Sequence, residues 1–380
     1  MKILSVCPTR LDPSLGIAKV YIESSLQYHK LGVDANIVGT ECYLNQHDSY
    51  DFKTTGERLK DYLETHAVSY DVVEFEHHQL PYLPKFKSGK KPLLVARSSL
   101  LMHFLWDLER YGNGKLDLLK YPLRLFKTYI NYREIKKLAD KTIVNSDLIL
   151  LANQDEVSKL CGLGFEKGKL VLSPFGIDEA RRKVLLSSRA PKNVKVGSVV
   201  MVGTLDPRKG LKFLPKLFNR LLEINSSADF TLLGTGFFIP NLTKQFEFFA
   251  PKVRERLTIR QTFNPDELPY LLGDKQVGIF PSVWEGCPFG VMEMLASGLD
   301  VIGFDSPGVR MVLERPWLVQ EGNLNDFVNK VLTRFGQIES EPRSRLRPTF
   351  YWENICKSTL DNYQSLLLNR YSTFANKPLK

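Results

Sequence analysis

Two glutamates lie eight positions apart in residues 281–298, whose sequence is PSVWEGCPFGVMEMLASG. The spacing of the apolar residues predicts a helix that begins near Phe289 or Gly290, after a strand and its loop. Glu285 would lie in that loop and Glu293 in the first turn of the helix, with both carboxylates at one end of a cleft. Carboxylates accept hydrogen bonds well from hydroxyl groups such as those of a sugar. An ordinary loop charge and a helix N-terminal charge would give the same spacing.

Two neighbouring segments could bind an anion. The backbone N–H groups of residues 290–292 would lie at the start of the predicted helix, where the helix dipole favours a phosphate. In VGTLDPRKGL, residues 202–211, the adjacent cations Arg208 and Lys209 lie in a loop between a predicted strand and a helix. Two cations at such a place can neutralise a diphosphate and stabilise charge that develops on it. Plain solvation of both side chains is the alternative.

Strands, loops and helices alternate along the whole chain, which is typical of parallel sheets covered by helices. A length of 380 residues fits two such domains, each with its own core. We expect a first domain at 1–185, an exposed connector at 180–195, a second domain at 196–345 and a terminal helix within 346–380. The predicted fold class is α/β, with two Rossmann-like domains and a ligand cleft between them.

Short apolar runs bounded by turn residues predict the strands. In the first domain they are KILSVC (2–7), ANIVG (35–39), YDVVEFE (70–76), KPLLVARS (91–98), DKTIVNS (140–146) and KLVLSP (169–174). In the second they are SVVMVGTL (198–205), DFTLLGTG (229–236), QVGIFPS (276–282) and DVIGFD (300–305), with a helix at 211–224. Chemistry is expected in the loops that follow strands, because parallel sheets bind ligands at the carboxyl ends of their strands.

Composition and charge exclude several classes of protein. Hydrophobic residues make up 43% and charged residues 25% of the chain, as in a folded, soluble protein. The net charge of +10 is spread evenly over both halves and no nucleic-acid-binding motif appears, so no nucleic-acid partner is expected. The five cysteines show no CxxC spacing, so neither disulfides nor a zinc site is predicted. The apolar run at the start is too short for a signal peptide or a membrane span, so we expect a cytoplasmic protein.

Taken together, these motifs resemble those of the GT-B glycosyltransferases of glycosyltransferase family 4. The family's E-x7-E motif corresponds to Glu285 and Glu293, VVMVGTLDPRKGL resembles the strand and basic loop that hold the donor diphosphate, and DFTLLGTG resembles the next strand and its glycine turn. VLSPFGID resembles the interdomain segment, the opening KILSVC with GIAKVYIESSLQYHKLGVDANIV resembles the first βαβ unit, and FYWENI resembles the closing helix that crosses back to the N-terminal domain. The resemblance spans nearly the whole chain and implies a GT-B fold.

The resemblance also implies an activity, that of a glycosyltransferase of the hexosyltransferase type. Such an enzyme moves a sugar, with retention of anomeric configuration, from a nucleotide diphosphate-sugar to a glycan or lipid-linked glycan. The implied setting is cell-surface polysaccharide or lipopolysaccharide biosynthesis. The leaving phosphate takes the acceptor proton, so the resemblance implies no protein nucleophile, cofactor or metal ion. A sugar-nucleotide epimerase or phosphorylase on the same fold is one alternative, and a basic nucleic-acid-binding protein is another.

The resemblance assigns roles to the residues that match its motifs. Glu285 would contact hydroxyls of the transferred sugar, and Glu293 the ribose of the nucleotide. Arg208 and Lys209 would bind the diphosphate as catalytic cations, since Thr204 stands where the family often has an arginine. The other implied donor-binding residues are Gly16, in a glycine turn near the donor phosphate, Gly203, Phe289, Gly290 and Val291.

Polar residues after two other predicted strands are candidates for contact with the acceptor. Glu76 and His77 follow YDVVEFE, and Arg97 and Ser99 lie where the family often has a histidine near the reacting sugar. An ordinary polar loop is the alternative. Glu76, His77 and His78 could also suggest a metal site, but adjacent side chains point in different directions, so no metal is predicted.

Residues 115–141 form a basic segment that could meet a membrane. They hold eight basic and three acidic residues, interleaved with aromatic and aliphatic ones. Such a face can rest on anionic lipid headgroups, which suits a lipid-linked acceptor. We therefore expect possible peripheral contact with the inner face of the membrane, and an ordinary amphipathic helix that covers the sheet is the alternative.

Overall fold

The computed structural model describes residues 1–13, 15–45, 47–48, 50–86, 91–105 and 122–375, and only the backbone of 122–128 and 371–375. The chain forms two compact units. The first is Met1–Phe175 with Trp352–Lys380, and the second is Gly176–Tyr351. Each contains a sheet of six parallel strands with flanking helices. This confirms the predicted α/β architecture of two Rossmann-like domains.

The first sheet consists of strands that run through the core of the first unit. They are β1 (Lys2–Val6), β2 (Asp34–Val38), β3 (Val72–Glu76), β4 (Leu93–Arg97), β5 (Leu148–Leu151) and β6 (Leu170–Leu172), in the order β2-β1-β3-β4-β5-β6. The helices that the structure describes before β6 are α1 (Gly16–Lys30), α2 (Phe52–His66), α3 (Pro122–Asn145) and α4 (Gln154–Gly162). β3 and β4 are buried along their whole length, as expected of parallel strands covered on both faces.

One predicted strand of the first sheet is wrong. The run DKTIVNS at 140–146 is the end of α3, and the strand is β5, which follows it. Thr142 and Ile143 are buried whereas Val144 is 65% exposed, so these β-branched residues obey the periodicity of a helix that covers the sheet. A short apolar run cannot be assigned to a strand or a helix from its periodicity alone.

The second sheet has the order β12-β11-β10-β7-β8-β9. Its strands are β7 (Ser198–Val202), β8 (Asp229–Leu233), β9 (Leu257–Arg260), β10 (Val277–Phe280), β11 (Asp300–Phe304) and β12 (Leu318–Val319). The helices are α5 (Glu179–Ser187), α6 (Leu214–Ile224), α7 (Leu242–Glu247), α8 (Pro251–Arg254), α9 (Leu268–Gly273), α10 (Phe289–Ala296), α11 (Val309–Val312) and α12 (Leu324–Arg334). Apolar residues of β7, β8, α6 and α12 build one core, in which the rings of Phe218 and Phe230 stack with centroids 4.1 Å apart.

The segment at 180–195, predicted to be an exposed connector, contains the helix α5. Asp178 caps this helix by accepting a hydrogen bond from the backbone N–H of Arg181 at 2.8 Å. Leu185 is buried, and α5 packs against α9 and α10. The first unit therefore ends at Phe175 rather than at 185, because the apolar face of α5 is covered by the second unit.

The C-terminal helix α13 (Trp352–Ala375) joins the first unit through a buried polar network. Glu74 on β3 is fully buried and accepts hydrogen bonds from the hydroxyls of Tyr28 at 2.7 Å and Tyr363 at 2.6 Å. The buried guanidinium of Arg97 lies 3.5 Å from the same carboxylate. Each charge compensates the other, whereas either one alone would be costly to bury.

We expect Glu74→Gln to destabilise the first unit by about 3–5 kcal/mol, because it leaves the Arg97 charge buried without its partner. Denaturant unfolding measures the change. Glu57→Gln removes the same charge from the exposed face of α2 and is the matched control. Equal stabilities of the two variants would contradict this role for the network.

Candidate functional site

The loops after β7 and β10 begin at adjacent strands of the second sheet. From β7 the chain runs outward to β8 and β9, and it returns to the opposite side of β7 to form β10. The loops at the carboxyl ends of these two strands diverge at this switch point, where open parallel sheets bind ligands. Arg208 and Lys209 lie in the loop after β7, and Glu285 lies in the loop after β10.

The structure brings these three side chains and Ser282 together in what is here called the Glu285 cluster. Lys209 Nζ lies 2.7 Å from Glu285 Oε1, and a guanidinium nitrogen of Arg208 lies 2.7 Å from Oε2. The hydroxyl of Ser282 donates to Oε1 at 2.6 Å. The Glu285 side chain is buried, whereas those of Lys209 and Arg208 are 13% and 26% exposed. Two cations that solvent reaches thus hold one buried carboxylate between them.

The charges of the Glu285 cluster set its protonation. Burial would raise the pKa of Glu285, but the attraction of Arg208 and Lys209 outweighs burial and lowers the pKa below its usual value. Burial lowers the pKa of Lys209 against the attraction of Glu285. For Arg208 the effect of burial is outweighed by Glu285, which raises the pKa. Glu285 is therefore ionised at neutral pH and bound to cations.

A second carboxylate shapes the basic loop. Asp206 is buried and accepts hydrogen bonds from the backbone N–H of Lys209 at 3.0 Å and from the hydroxyl of Thr204 at 2.6 Å. Two carboxylates thus face the two cations, so the formal charge of these side chains balances. An incoming anion must therefore displace Glu285 from Arg208 and Lys209 or share them with it.

Backbone contacts join the two loops. Gly210 has a φ of +83°, and a Cβ there would collide with the carbonyl oxygen of Pro281. The N–H of Val283 donates to the carbonyl oxygen of Arg208 at 2.9 Å, and Ser282 Oγ lies 3.0 Å from the same oxygen. Sequence reasoning missed Ser282, because a single serine after a strand has no distinctive spacing. Its contacts with Arg208 in the basic loop and with Glu285 become visible only in the folded chain.

Helix α10 begins at Phe289, as predicted. Pro288 stands at the N-cap position and disfavours a helical conformation for the residue before it, so the helix cannot easily begin earlier. Glu293 is the fifth residue of α10 and lies in its second turn, so the predicted first-turn position is wrong. The Glu293 carboxylate is buried and lies 3.4 Å from the guanidinium of Arg181 on α5. Sequence reasoning missed Arg181, because its segment was interpreted as a connector.

The first turn of α10 lies against the end of β7. A Cβ on Gly290 would collide with the carbonyl oxygen of Val202, and Val291 is buried. The N-cap Pro288 provides no side-chain hydrogen bond to the helix. The positive end of the helix dipole, at Phe289, Gly290 and Val291, is thus placed at the carboxyl end of the sheet, where it would stabilise an anion.

The two remaining predicted donor-binding glycines lie in different units. Gly203 follows β7 directly, and its N–H donates to the carbonyl oxygen of Leu233 at 2.8 Å. It therefore opens the basic loop of the second unit. Gly16 is the first residue of α1 in the first unit, with space around its Cα. Its predicted contact with the donor stays a prediction.

In the first unit, Glu76 is the centre of a buried hydrogen-bonded group. It accepts bonds from the N–H and hydroxyl of Ser99, both at 2.8 Å, from the hydroxyl of Tyr21 at 3.2 Å and from Nδ1 of His77 at 2.9 Å. Nε2 of His77 accepts the N–H of Met102 at 3.0 Å. Burial would raise the pKa of Glu76. The hydrogen bonds from His77 and Ser99 outweigh burial, so the pKa of Glu76 is lower than its usual value. The predicted residues Glu76, His77 and Ser99 thus lie together.

The other residue predicted to contact the acceptor, Arg97, is separate from this group. It lies in β4 and its guanidinium is 99% buried beside Glu74. Its position is that of a core cation, and a contact with the acceptor stays a prediction.

Glu76, His77 and His78 offer potential metal-ligand atoms within 4.8 Å of one another. A carboxylate and two imidazoles are suitable ligands for zinc. However, both nitrogens of His77 and both oxygens of Glu76 already take part in hydrogen bonds within the group. A metal would have to replace these bonds, and the absence of a metal requirement stays a prediction.

The basic segment 115–141 lies partly outside the described residues. Residues 115–121 are among those that the structure does not describe, and 122–128 are described only as backbone of α3. In the remainder, Tyr129 and Ile130 are 38% and 45% exposed, and Arg133 and Lys137 are exposed. Of the described helices, none is both long and apolar enough to cross a bilayer. Contact with an anionic membrane surface stays a prediction.

His78 is expected to make the first unit less stable in acid. Burial, with a contribution from His77, lowers the pKa of His78 from 6.5 to about 3. Between these two values the unfolded chain binds a proton that the folded chain does not, so stability falls as the pH falls, by up to about 1.4 kcal/mol per pH unit. His78→Phe should flatten this slope in denaturant unfolding between pH 6.5 and 4. His29→Gln replaces an exposed histidine of α1 and should leave the slope of wild type unchanged. Equal slopes in the two variants would contradict the assignment of this pH dependence to His78.

Gly290→Ala is expected to destabilise the second unit by about 1–3 kcal/mol, because the added methyl group overpacks α10 against β7. Thermal unfolding measures the loss. Gly16→Ala places the same methyl group at the start of α1, where nothing lies within 4 Å, and should leave the melting temperature unchanged. A melting temperature of the Gly290 variant equal to that of wild type would show that α10 does not need this close approach.

The comparisons with known proteins agree with this architecture. Residues 197–335 match the family model described as Glycosyl transferases group 1. The chain is 24% identical over 196 residues to the UDP-Gal:alpha-D-GlcNAc-diphosphoundecaprenol alpha-1,3-galactosyltransferase of Escherichia coli. That match covers 49% of this chain and 50% of the relative, and the chain spans about half the length of the first curated relatives it matches.

Solved structures with the same fold cover nearly the whole chain. Sucrose-phosphate synthase of Thermosynechococcus elongatus has a TM-score of 0.70 at 15% identity, over 97% of this chain and 100% of that chain. HepE of Anabaena, solved with UDP and glucose, has a TM-score of 0.64 at 15% identity, over 96% of this chain and 100% of that chain. The chain therefore has the GT-B fold, and residues 197–335 of its second unit are similar to the group 1 glycosyl transferases.

Proposed function

We propose that the chain is a retaining glycosyltransferase that moves a hexose from a nucleoside diphosphate-sugar to a glycan or lipid-linked glycan. The observation that carries this proposal is the Glu285 cluster, in which Arg208 and Lys209 share one ionised carboxylate at the switch point of a parallel sheet. Cations suit a diphosphate, and a carboxylate suits the hydroxyls of a sugar. A donor that carries both groups matches both parts of the cluster.

The similar proteins support the class of donor and acceptor. The name of the Escherichia coli relative specifies a UDP-sugar donor and an acceptor linked to diphosphoundecaprenol, and HepE was solved with UDP and glucose. We carry over to this chain a nucleoside diphosphate-sugar as donor and a glycan, free or lipid-linked, as acceptor. The same proposal includes membership of family 4, a role in cell-surface polysaccharide assembly and action at the inner face of the membrane.

The proposed reaction replaces one bond at the anomeric carbon by another. The bond from this carbon to the donor phosphate oxygen breaks as the acceptor hydroxyl oxygen bonds to the same face, and the hydroxyl proton passes to the leaving phosphate. Arg208 and Lys209 stabilise the charge on the departing diphosphate, with the N-terminus of α10 as a further positive end. Glu285 orients the sugar through its hydroxyls, and Glu293 binds the ribose of the nucleotide. The two cations supply the charge that a divalent metal would otherwise supply.

Glu285 lies 2.7 Å from each of the two cations that the diphosphate needs. The donor diphosphate must therefore take Arg208 and Lys209 at least partly away from the carboxylate, which can then accept hydrogen bonds from the sugar. A nucleoside diphosphate without a sugar would displace Glu285 without giving it new partners. The cluster thus favours the complete donor over the product, and it assists release of the product after transfer.

We expect Glu285→Gln and Lys209→Ala to be separated by their affinities for the product. Both should lower the rate of transfer by about 100-fold or more, since each removes charge-assisted bonds of about 1.5–3 kcal/mol from the transition state. Lys209→Ala should also weaken binding of the nucleoside diphosphate. Glu285→Gln should strengthen it by about tenfold, because the neutral amide no longer competes for the cations, a gain of about 1.4 kcal/mol.

The measurement is calorimetric titration with the nucleoside diphosphate that stabilises the protein most in a thermal-shift screen of UDP, GDP, ADP and CMP with their sugar conjugates. Transfer is followed with the matching donor. Lys212→Ala removes an exposed cation from the same loop and is the matched control, with binding and transfer unchanged. Wild-type transfer by either variant, or no binding of any of these nucleotides, would contradict the proposed function.

A further inference from the structure

Arg181 links two elements of the second unit that are distant in sequence. One terminal nitrogen of its guanidinium donates to the carbonyl oxygen of Pro265, at 2.8 Å, in the loop after β9. The same nitrogen lies 3.4 Å from Glu293 Oε1 on α10. The side chains of Arg181 and Glu293 are 15% and 8% exposed, so the pair is shielded from solvent but not sealed from it. A single side chain thus spans the gap between a buried carboxylate and a loop.

The backbone that carries Arg181 is firmly held. Its N–H donates to the capping carboxylate of Asp178 at 2.8 Å. The next residue, Arg182, donates to the carbonyl oxygen of Ile177 and lies over the ring of Tyr351, with its guanidinium carbon 3.5 Å from the centroid. Ile177 and Tyr351 form a parallel bridge. The start of α5 is therefore anchored on both sides of Arg181, and the guanidinium has a defined origin.

The loop that receives the other bond of Arg181 is also ordered by local hydrogen bonds. Asn264 accepts the N–H of Asp266 at 3.1 Å, and Glu267 accepts the N–H of Asn264 at 3.2 Å, which together form a capping box. Pro265 lies in sequence between the two residues of this box, Asn264 and Glu267. Arg181 thus connects a rigid helix start, a rigid loop and the carboxylate of Glu293.

A carboxylate that binds a vicinal diol must present its oxygens in one fixed orientation. A guanidinium at one oxygen restricts rotation of the carboxylate, so the oxygens keep the direction in which they accept hydrogen bonds from hydroxyl groups. Glu293 lies in a helix, so its backbone is fixed, and Arg181 adds a constraint on the side chain. Lysine could not replace it fully, because its side chain is shorter and its ammonium group is not held in the fixed plane of a guanidinium.

We propose that Arg181 is a positioning residue that orients Glu293 toward the ribose hydroxyls of the donor nucleotide and thereby makes the site selective for ribonucleotides. This rests on the proposed function, in which Glu293 binds the ribose. Arg181 itself touches no reacting atom. Its loss should therefore act on recognition of the ribose and leave the transfer step nearly intact.

The test compares affinities for the ribonucleoside diphosphate and its 2′-deoxy and 3′-deoxy analogues, measured by calorimetry on the full chain. Wild type should prefer the ribonucleotide to at least one of the two analogues by about tenfold or more, as expected when a buried acceptor loses its donor. Arg181→Gln should reduce that preference to about twofold by weakening only the ribonucleotide. In transfer assays KM for the donor should rise with kcat nearly unchanged. Lys183→Ala, an exposed cation on the same helix, is the matched control and should behave as wild type.

A double-mutant cycle isolates the coupling between Arg181 and Glu293. Glu293→Gln should lower the preference as Arg181→Gln does, and the double variant should lower it no further, because the two residues act as one unit. If Arg181→Gln does not fold, Arg181→Lys serves instead, with a preference reduced about threefold because the shorter side chain reaches Glu293 and Pro265 less well.

The outcomes separate this inference from the proposed function. A wild-type chain that binds no nucleoside diphosphate would overturn both. A wild-type chain that binds and discriminates, with the same preference retained in Arg181→Gln or in its lysine substitute, would overturn the inference alone. Equal loss of affinity for the ribonucleotide and its analogues would likewise reduce Arg181 to a structural residue.

Discussion

The second unit depends on the balance of charge around one buried carboxylate. Arg208 and Lys209 are adjacent in sequence and would repel each other in a partly dry site, but Glu285 accepts both and Ser282 holds it in place. This balance requires the loops after β7 and β10 to touch, and they can do so only because the crossover makes β7 and β10 neighbours. Gly210 permits the close approach of the two loops at Pro281, and Gly308, after β11, permits a similar approach to the carbonyl oxygen of Glu285. The order of the strands and the glycines in the loops therefore bring Glu285 to the two cations, and these cations keep it ionised.

The first unit manages its buried charges differently. Glu74 and Arg97 lie in the core and bind each other and two tyrosines, one of them from the C-terminal helix. Glu76 is saturated by Ser99, Tyr21 and His77. A carboxylate with as many internal partners as Glu76 gains little from a ligand, since each new bond must replace an existing one. The cations of the Glu285 cluster have the opposite character, because they are partly exposed and are bound to a carboxylate that a diphosphate can displace.

Much of this could be predicted from the sequence because it is encoded locally. The glycine and proline signals around the second-unit strands, and Pro288 before α10, have direct structural meaning, and the helix begins where the spacing indicates. The failures have a common cause in tertiary packing. Residues 140–146 favour a strand by their β-branched side chains but cover the sheet as the end of a helix. The segment at 180–195 looks polar in isolation, yet α5 buries Leu185 and carries Arg181 to Glu293, a residue 112 positions away. No local pattern records such a contact.

The most direct test of the central claim is the crystal structure of the complex with the nucleoside diphosphate that stabilises the chain most. The account predicts that the diphosphate oxygens lie within hydrogen-bonding distance of Lys209 Nζ and the Arg208 guanidinium, beside the N-terminus of α10. It also predicts that at least one of the two bonds from these cations to Glu285, both 2.7 Å long in the structure described above, is broken. A nucleotide bound elsewhere, with both bonds to Glu285 intact, would contradict it.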